Sequence, residues 1–198
     1  MLLSSQRASK PDLDELFGVA VGQAGYFTAA QARAAGYSLQ LLQHHLKRGS
    51  LERAGRGIFR FVRFPAAEEG DLVVPWLWSE RRGVVSHESA LHAHDLADAL
   101  PSRVHLTLPT ADAARRLRVP PNVALAYADV PPGDIVWRGP VPVTSALRTL
   151  RDCLAAHVAP EWVQQAIERG LRRGLFARTD LAALALPPGV LVPSHEAA

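Results

Sequence analysis

Apolar positions between residues 11 and 64 recur at helical spacing three times and then alternate, which predicts three short helices followed by a hairpin. Leu13, Leu16, Phe17 and Ala20 define the first helix, which starts at or near Asp12 and ends around Gly22 to Gly25. Thr28 with Gln31 three residues later makes a capping box, in which each side chain satisfies an orphan backbone N–H; it opens a helix over 29–35 that Gly36 closes. Ser38 is a second N-cap, opening a helix over 39–48 that Gly49 closes. At about 100° per residue, Leu39, Leu42 and Leu46 fall on one side of this third helix, and Gln40, Gln43, His44 and Lys47 on a band of the other. One face is expected to pack and the other to stay in water.

After Gly49, SLERAG and RGIFRFVR read as two strands around Gly55-Arg56-Gly57, whose glycines permit the backbone of a tight turn. Phe59 and Phe61 share one face of the second strand and Arg60 takes the other. Two short helices joined at a glycine and followed by a hairpin have the spacing of a helix-turn-helix with a wing.

From residue 68 the pattern becomes mixed α/β. A helix is expected over 69–81 despite Pro75, a second from Ser86 as cap through Ala93, and strands over 103–108, 123–127 and 135–143. Thr144 is expected to cap a helix reaching about Ala156, Pro160 to lead into a helix over 161–173, and Thr179 to cap a last short one. The fold class is therefore α+β: a winged helix-turn-helix domain over 1–66, then a mixed α/β domain over 67–198. The tail from about Pro187 is expected to be poorly ordered. Trp76 and Trp78 are read as the seam between the two domains.

Composition alters this picture in two ways. With 48% apolar residues in 198, the chain can build folded cores; the apolar run over 73–78 is broken by Pro75 and is far too short for a membrane span. The N-terminal MLLSSQRASK lacks the apolar core of a signal peptide, so a cytoplasmic protein is expected. Cys153 is the single cysteine, which excludes an internal disulfide, and its leucine neighbours mark it as a small core residue. The formal charge is only +3, yet residues 47–63 hold six basic residues against one acid, so the remainder is net negative. Cation clustered on one element is the footprint of a nucleic-acid binder.

The candidate DNA-contacting residues follow. Gln40 and Gln43 lie in the first turns of the third helix, where glutamine can pair bidentately with adenine, and His44 shares their face. Lys47, Arg48, Arg53, Arg56 and Arg60 are read as phosphate contacts, with Arg56 at the wing tip also able to enter a narrow minor groove. Thr28 and Ser38, at the helix starts, complete the set. A second basic group, Arg169, Arg172, Arg173 and Arg178, reads first as a solvated helix face and alternatively as a docking surface for an acidic partner or more DNA. The cluster Ser86, His87, Glu88, His92, His94 and Asp95 lacks metal-ligand spacing, so packing and capping are expected there, with no metal or cofactor.

The segment GYFTAAQARAAGYSLQLLQHHLKRGSLERAGRGIFRF resembles the winged-helix domain of the AbiEi antitoxin family, and VVSHESALHAHDL, RVHLTLP and VPVTSALRTLRDCLA look like successive signatures of that family's later region. The likeness runs from about Gly25 to Leu154 and more weakly through RRGLF at 172–176. It implies an antitoxin of a type IV toxin-antitoxin pair that represses its own operon and opposes a nucleotidyltransferase-like toxin, with the helix over 38–48 and the wing over 53–60 on double-stranded DNA. Two other readings stay open. One is a stand-alone regulator with a ligand-sensing second domain. The other is a relative of Vsr-like endonucleases, which the stretch around Val143-Thr144-Ser145 and Arg148-Thr149-Leu150 also resembles. Such a nuclease needs clustered carboxylates and a lysine. After Asp152 the sequence offers only Glu161, Glu168, Asp180 and Glu196 and no lysine, so no enzymatic activity is expected.

Overall fold

The computed structural model describes residues 10–67 and 70–193, which form two compact units dividing between Trp78 and Ser79. The division falls after the helix at 70–78 rather than at the expected 66/67.

In the first unit, Asp12 Oδ1 accepts the Glu15 N–H at 2.9 Å and opens α1, Leu13–Val21. Only Leu16 and Ala20 of its expected packing face are buried; Leu13 is exposed, and Phe17 lies at the rim with its ring edge-on to Phe61 at 5.7 Å. The chain then enters a short strand the sequence reading did not anticipate, β1, Tyr26–Thr28. Gly25 allows this entry: its φ is +87°, and an added Cβ would lie 2.5 Å from the Phe64 ring. Next come α2, Ala29–Ala34, and α3, Leu39–Lys47, then β2, Leu51–Gly55, and β3, Ile58–Phe61. The antiparallel sheet has the order β1-β3-β2, so β3 is central. Leu16, Ala20, Phe27, Ala32, Tyr37, Leu42, Leu51 and Phe59 make the core, the Phe27 and Phe59 rings stacking at 5.9 Å. α4, Gly70–Trp78, closes the unit over β1 and β3 and buries Val73, Pro75, Trp76 and Leu77. Both tryptophans of the expected seam therefore ride on the first unit's last helix.

The second unit comprises β4, Val84–Val85; α5, His87–Ala93; β5, Val104–Leu108; β6, Val123–Tyr127; β7, Ile135–Arg138; β8, Val141–Thr144; α6, Ala146–Ala155; α7, Pro160–Arg172; and α8, Arg178–Leu181. Its sheet is mixed, in the order β6-β5-β4-β8-β7. The single strand expected over 135–143 is a hairpin, Ile135 pairing with Thr144 and Arg138 with Val141, because Gly139 turns at φ +51° before Pro140. The expected caps move as well. Ser145, not Thr144, caps α6, while the Thr144 hydroxyl bonds that of Thr149 at 2.7 Å. The N-cap of α8 is Ala177, whose N–H donates to Asp180 at 2.7 Å, so Thr179 is no cap. The packed interior lies among α5, α6 and α7, with Leu91, Leu96, Leu150, Cys153, Val163 and Ile167 buried. Of the tail expected to be loose, 187–193 is described: Val190 packs on this core and the Leu191 N–H donates to Gln164 at 2.7 Å, while 194–198 lies outside the described residues.

Candidate nucleic-acid interface

α3 is held by what precedes it. The Thr28–Gln31 box is present, Thr28 N–H donating to Gln31 Oε1 at 2.8 Å and Gln31 N–H to Thr28 Oγ1 at 3.2 Å. Buried Gln23, missed in the sequence, extends it: its amide exchanges bonds of 2.8 and 3.2 Å with Gln31 and donates to Tyr26 O at 2.9 Å. The end of α1, β1 and the start of α2 are thus tied together, and a buried amide with its donors and acceptor satisfied fixes one geometry. Ser38 Oγ then accepts the Leu41 N–H at 3.1 Å and starts α3.

Leu42 is buried and Leu41 and Leu46 pack beside it, whereas Gln40, Gln43, His44, Lys47 and Arg48 are exposed. Leu39, expected on the packing face, is 61% exposed. It is the first helical residue, its azimuth is at the edge of the packing arc, and it joins the exposed band instead. His45 turns inward: its Nδ1 meets Ser50 Oγ at 3.1 Å, and the Ser50 hydroxyl donates to His45 O at 3.2 Å, which locks the passage from α3 into β2.

The wing is anchored to α2 by the Ala29 N–H donating to Gly57 O at 2.8 Å. Arg56 stands exposed at its tip, and exposed Arg53 lies over the Phe59 ring at 5.6 Å, a cation–π contact that holds its guanidinium near the sheet. Arg60 is different. Its side chain is 14% exposed, pairs with Glu52 at 3.1 Å, donates to Phe64 O at 2.7 Å and Pro65 O at 3.1 Å, and sits over Tyr26 at 5.5 Å. Arg60 staples β3 to the chain leaving it, so its charge is committed inside the domain. The Thr28 hydroxyl is likewise committed to its cap. The side chains exposed on this surface are Leu39, Gln40, Gln43, His44, Lys47, Arg48, Arg53 and Arg56, with Ser38 at its edge.

In the second basic group two members are engaged within the unit. Arg169 binds Asp98 at 2.6 Å and Asp95 at 3.4 Å, and Arg173 donates to His94 O at 2.6 Å and Asp95 O at 3.3 Å, so both fasten α7 to the chain leaving α5. Arg172 and Arg178 are exposed. In the histidine cluster, Ser86 stands at the N-cap of α5 but its hydroxyl does not cap; it accepts from Thr107 Oγ1 at 2.8 Å and meets His87 Nδ1 at 2.9 Å. Buried His94 lies 2.7 Å from Thr144 O through Nε2 and 3.1 Å from Arg138 Nη2 through Nδ1. Arg138 can only donate, so Nδ1 accepts and Nε2 carries the proton. Burial holds the imidazoles of His87, His94 and His105 below their ordinary pKa and raises that of the Cys153 thiol. Among the described residues no three His, Cys, Asp or Glu side chains group as a metal site would require, and no helix is long and apolar enough to cross a membrane.

Residues 14–62 match the family model described as a transcriptional regulator, AbiEi antitoxin. The match spans α1 through the wing. The chain is also similar to the solved structure of the RV2827C protein from Mycobacterium tuberculosis, at 15% identity and a TM-score of 0.45, over 84% of this chain and 75% of that one. No curated protein matches it.

Proposed function

We infer from the AbiEi antitoxin transcriptional-regulator domain that this chain carries at 14–62 that it binds the DNA upstream of its own gene, represses that promoter, and opposes a nucleotidyltransferase-type toxin in the cytoplasm. The observation that carries the DNA reading is the exposed face of α3, Gln40, Gln43, His44 and Lys47, beside the exposed wing arginines Arg53 and Arg56, with Leu41, Leu42 and Leu46 holding the opposite side of the helix in the core. In this reading α3 enters the major groove, where Gln40 and Gln43 meet base edges, and the wing lies along the flanking backbone. Lys47, Arg48, Arg53 and Arg56 neutralise phosphates. Arg60 is left out because its guanidinium is already paired.

Four phosphate contacts give a slope of log affinity against log salt of about −3 to −4 per monomer. The test is binding of the purified protein to its upstream duplex and to a scrambled duplex across a salt series. Preference for the upstream duplex should persist near physiological salt and disappear in the triple variant Gln40→Ala, Gln43→Ala, Lys47→Ala. Equal affinity for both duplexes would remove the regulatory reading. Co-expression with the neighbouring toxin gene tests the other half: growth should be rescued by the chain and not by an empty vector.

A further inference from the structure

Residues of the second unit alone enclose a cavity of about 340 Å³, formed by the chain at 81–84 with Pro132, Ile135, Trp137 and Pro142. The sheet register explains its floor. β7 pairs with β8 so that Trp137 lies opposite Pro142, and β4 runs parallel to β8 with Val85 opposite Val143, so Ile135, Trp137, Pro142 and Val84 share one face. The two prolines and the 65% exposed Trp137 make that face apolar and in part aromatic. Its size is that of a small-ligand site.

Its charge comes from two stretches that the fold brings together. Buried Asp112 is held by Arg82 at 2.9 Å and by Arg115 at 3.3 Å, and Arg115 also binds Glu80 at 3.3 Å, so the crossover from β5 to β6 is fastened to the turn before β4. Neither stretch stands out in the sequence, yet residues 80–82 and 112–118 together hold five arginines against two carboxylates. Both carboxylates are committed to Arg82 and Arg115. Asp134, beside Ile135, is likewise paired, with Arg148 at 3.4 Å. The charged side chains that line the cavity are Arg81 and Arg82, and no acid lines it. Arg81 is exposed and makes no ion pair among the described residues. Glu80 and Arg81 sit at φ +59° and +64°, a left-handed conformation that L side chains resist, and two such residues in succession turn the chain so that Arg81 and Arg82 both border the cavity. A cation is excluded by the guanidiniums, and a bare inorganic anion would leave the apolar face uncovered. An anion on an aromatic body satisfies both.

We propose that this cavity binds a small organic anion, a carboxylate or phosphate on an aromatic body, with Arg81 as counter-ion and the ring lying against Trp137 and the prolines. Calorimetric titration of the full chain with benzoate, phenyl phosphate, inorganic phosphate and the neutral benzamide tests the site. An aromatic anion should bind saturably, the tighter of the two identifying the head group, whereas benzamide should not bind and inorganic phosphate should bind more weakly than phenyl phosphate. Arg81→Asn, which suits a left-handed backbone, should fold and weaken the aromatic anion about ten- to a hundredfold, the loss expected for one charge-assisted bond. Trp137→Leu should weaken it as well. Arg56→Ala, which removes a cation from the wing instead, should bind it as the natural chain does. If Arg81→Asn fails to fold, the comparison of the anions with benzamide on the natural chain still decides. Equal binding of benzamide, full affinity in a folded Arg81→Asn, a loss in Arg56→Ala equal to that in Arg81→Asn, or binding of neither aromatic anion overturns the proposal.

Discussion

Arg56 and Arg60 are four residues apart in one basic run, and the structure gives them opposite work. Arg56 is exposed at the wing tip, so Arg56→Ala should lower affinity for every duplex alike and leave the melting temperature unchanged. Arg60→Ala should do the reverse. It leaves the Phe64 and Pro65 carbonyls without their donor and Glu52 without its cation, a loss of about 1–3 kcal/mol, or several degrees in a domain of this size. Melting curves beside binding isotherms separate the two; an Arg60→Ala protein of full stability but weakened DNA affinity would return Arg60 to the interface. The sequence could not make this distinction, because the partners of Arg60 are mostly backbone carbonyls, which have no sequence signature. Leu39 carries a further prediction. An apolar side chain at the start of α3, beside Gln40 and Gln43, is suited to the methyl group of thymine. Replacing operator thymines by deoxyuridine should reduce affinity of the natural chain at one position and leave Leu39→Ala indifferent there. Parallel losses in both proteins would mean that Leu39 reads no methyl.

At the scale of elements, legibility followed the strength of local chemistry. The Thr28–Gln31 box, the Ser38 cap and the Asp12 start were readable because short polar side chains before an apolar run have few other uses. β1 was not readable: three residues are too few to display alternation, and the strand exists because β3 offers it a partner. The sequence shows the β7–β8 hairpin as one strand because both arms are mostly β-branched or aromatic, and only Gly139-Pro140 marks the turn. Helix α7 illustrates tertiary packing overriding propensity. Gly170 lies inside it, where alanine ordinarily stabilises a helix by roughly 0.5–1 kcal/mol. Here an added Cβ would fall 2.2 Å from Phe176 Cζ, so the ring must leave its place in the core. Gly170→Ala should therefore destabilise the chain by about 1–3 kcal/mol, the usual range for overpacking, and a second change, Phe176→Leu, should restore part of it. A Gly170→Ala protein that melts higher than the natural chain would show that Phe176 moves freely.

For the molecule as a whole, the two units differ in how they should respond to acid. Regulation is read onto the first, whose exposed face is polar and basic, whereas the second buries His94 and half-buries His87 and His105. His94 joins four elements of that unit: at the end of α5, it donates to Thr144 of β8, accepts from Arg138 of β7, and its carbonyl receives Arg173 from α7. The sequence showed a crowded histidine cluster, but not that one ring, His94, is the joint. Protonating Nδ1 would set a cation against the Arg138 guanidinium, with Arg173 also near, and burial already disfavours the charged ring. The folded pKa is thus below the unfolded value of about 6.5, and the unfolded chain binds more protons in the interval between them. Stability from this group is complete above about pH 6.5 and is lost as pH falls through the folded value, by at most about 1.4 kcal/mol per pH unit. His87 and His105 shift in the same direction and deepen the loss. Melting temperatures measured from pH 7.5 to pH 5 should therefore fall for the natural chain. His94→Gln, which keeps an N–H for Thr144 O but cannot titrate, should start lower and fall less. An identical pH dependence in the two proteins would place the acid sensitivity elsewhere and leave His94 as a packing residue alone.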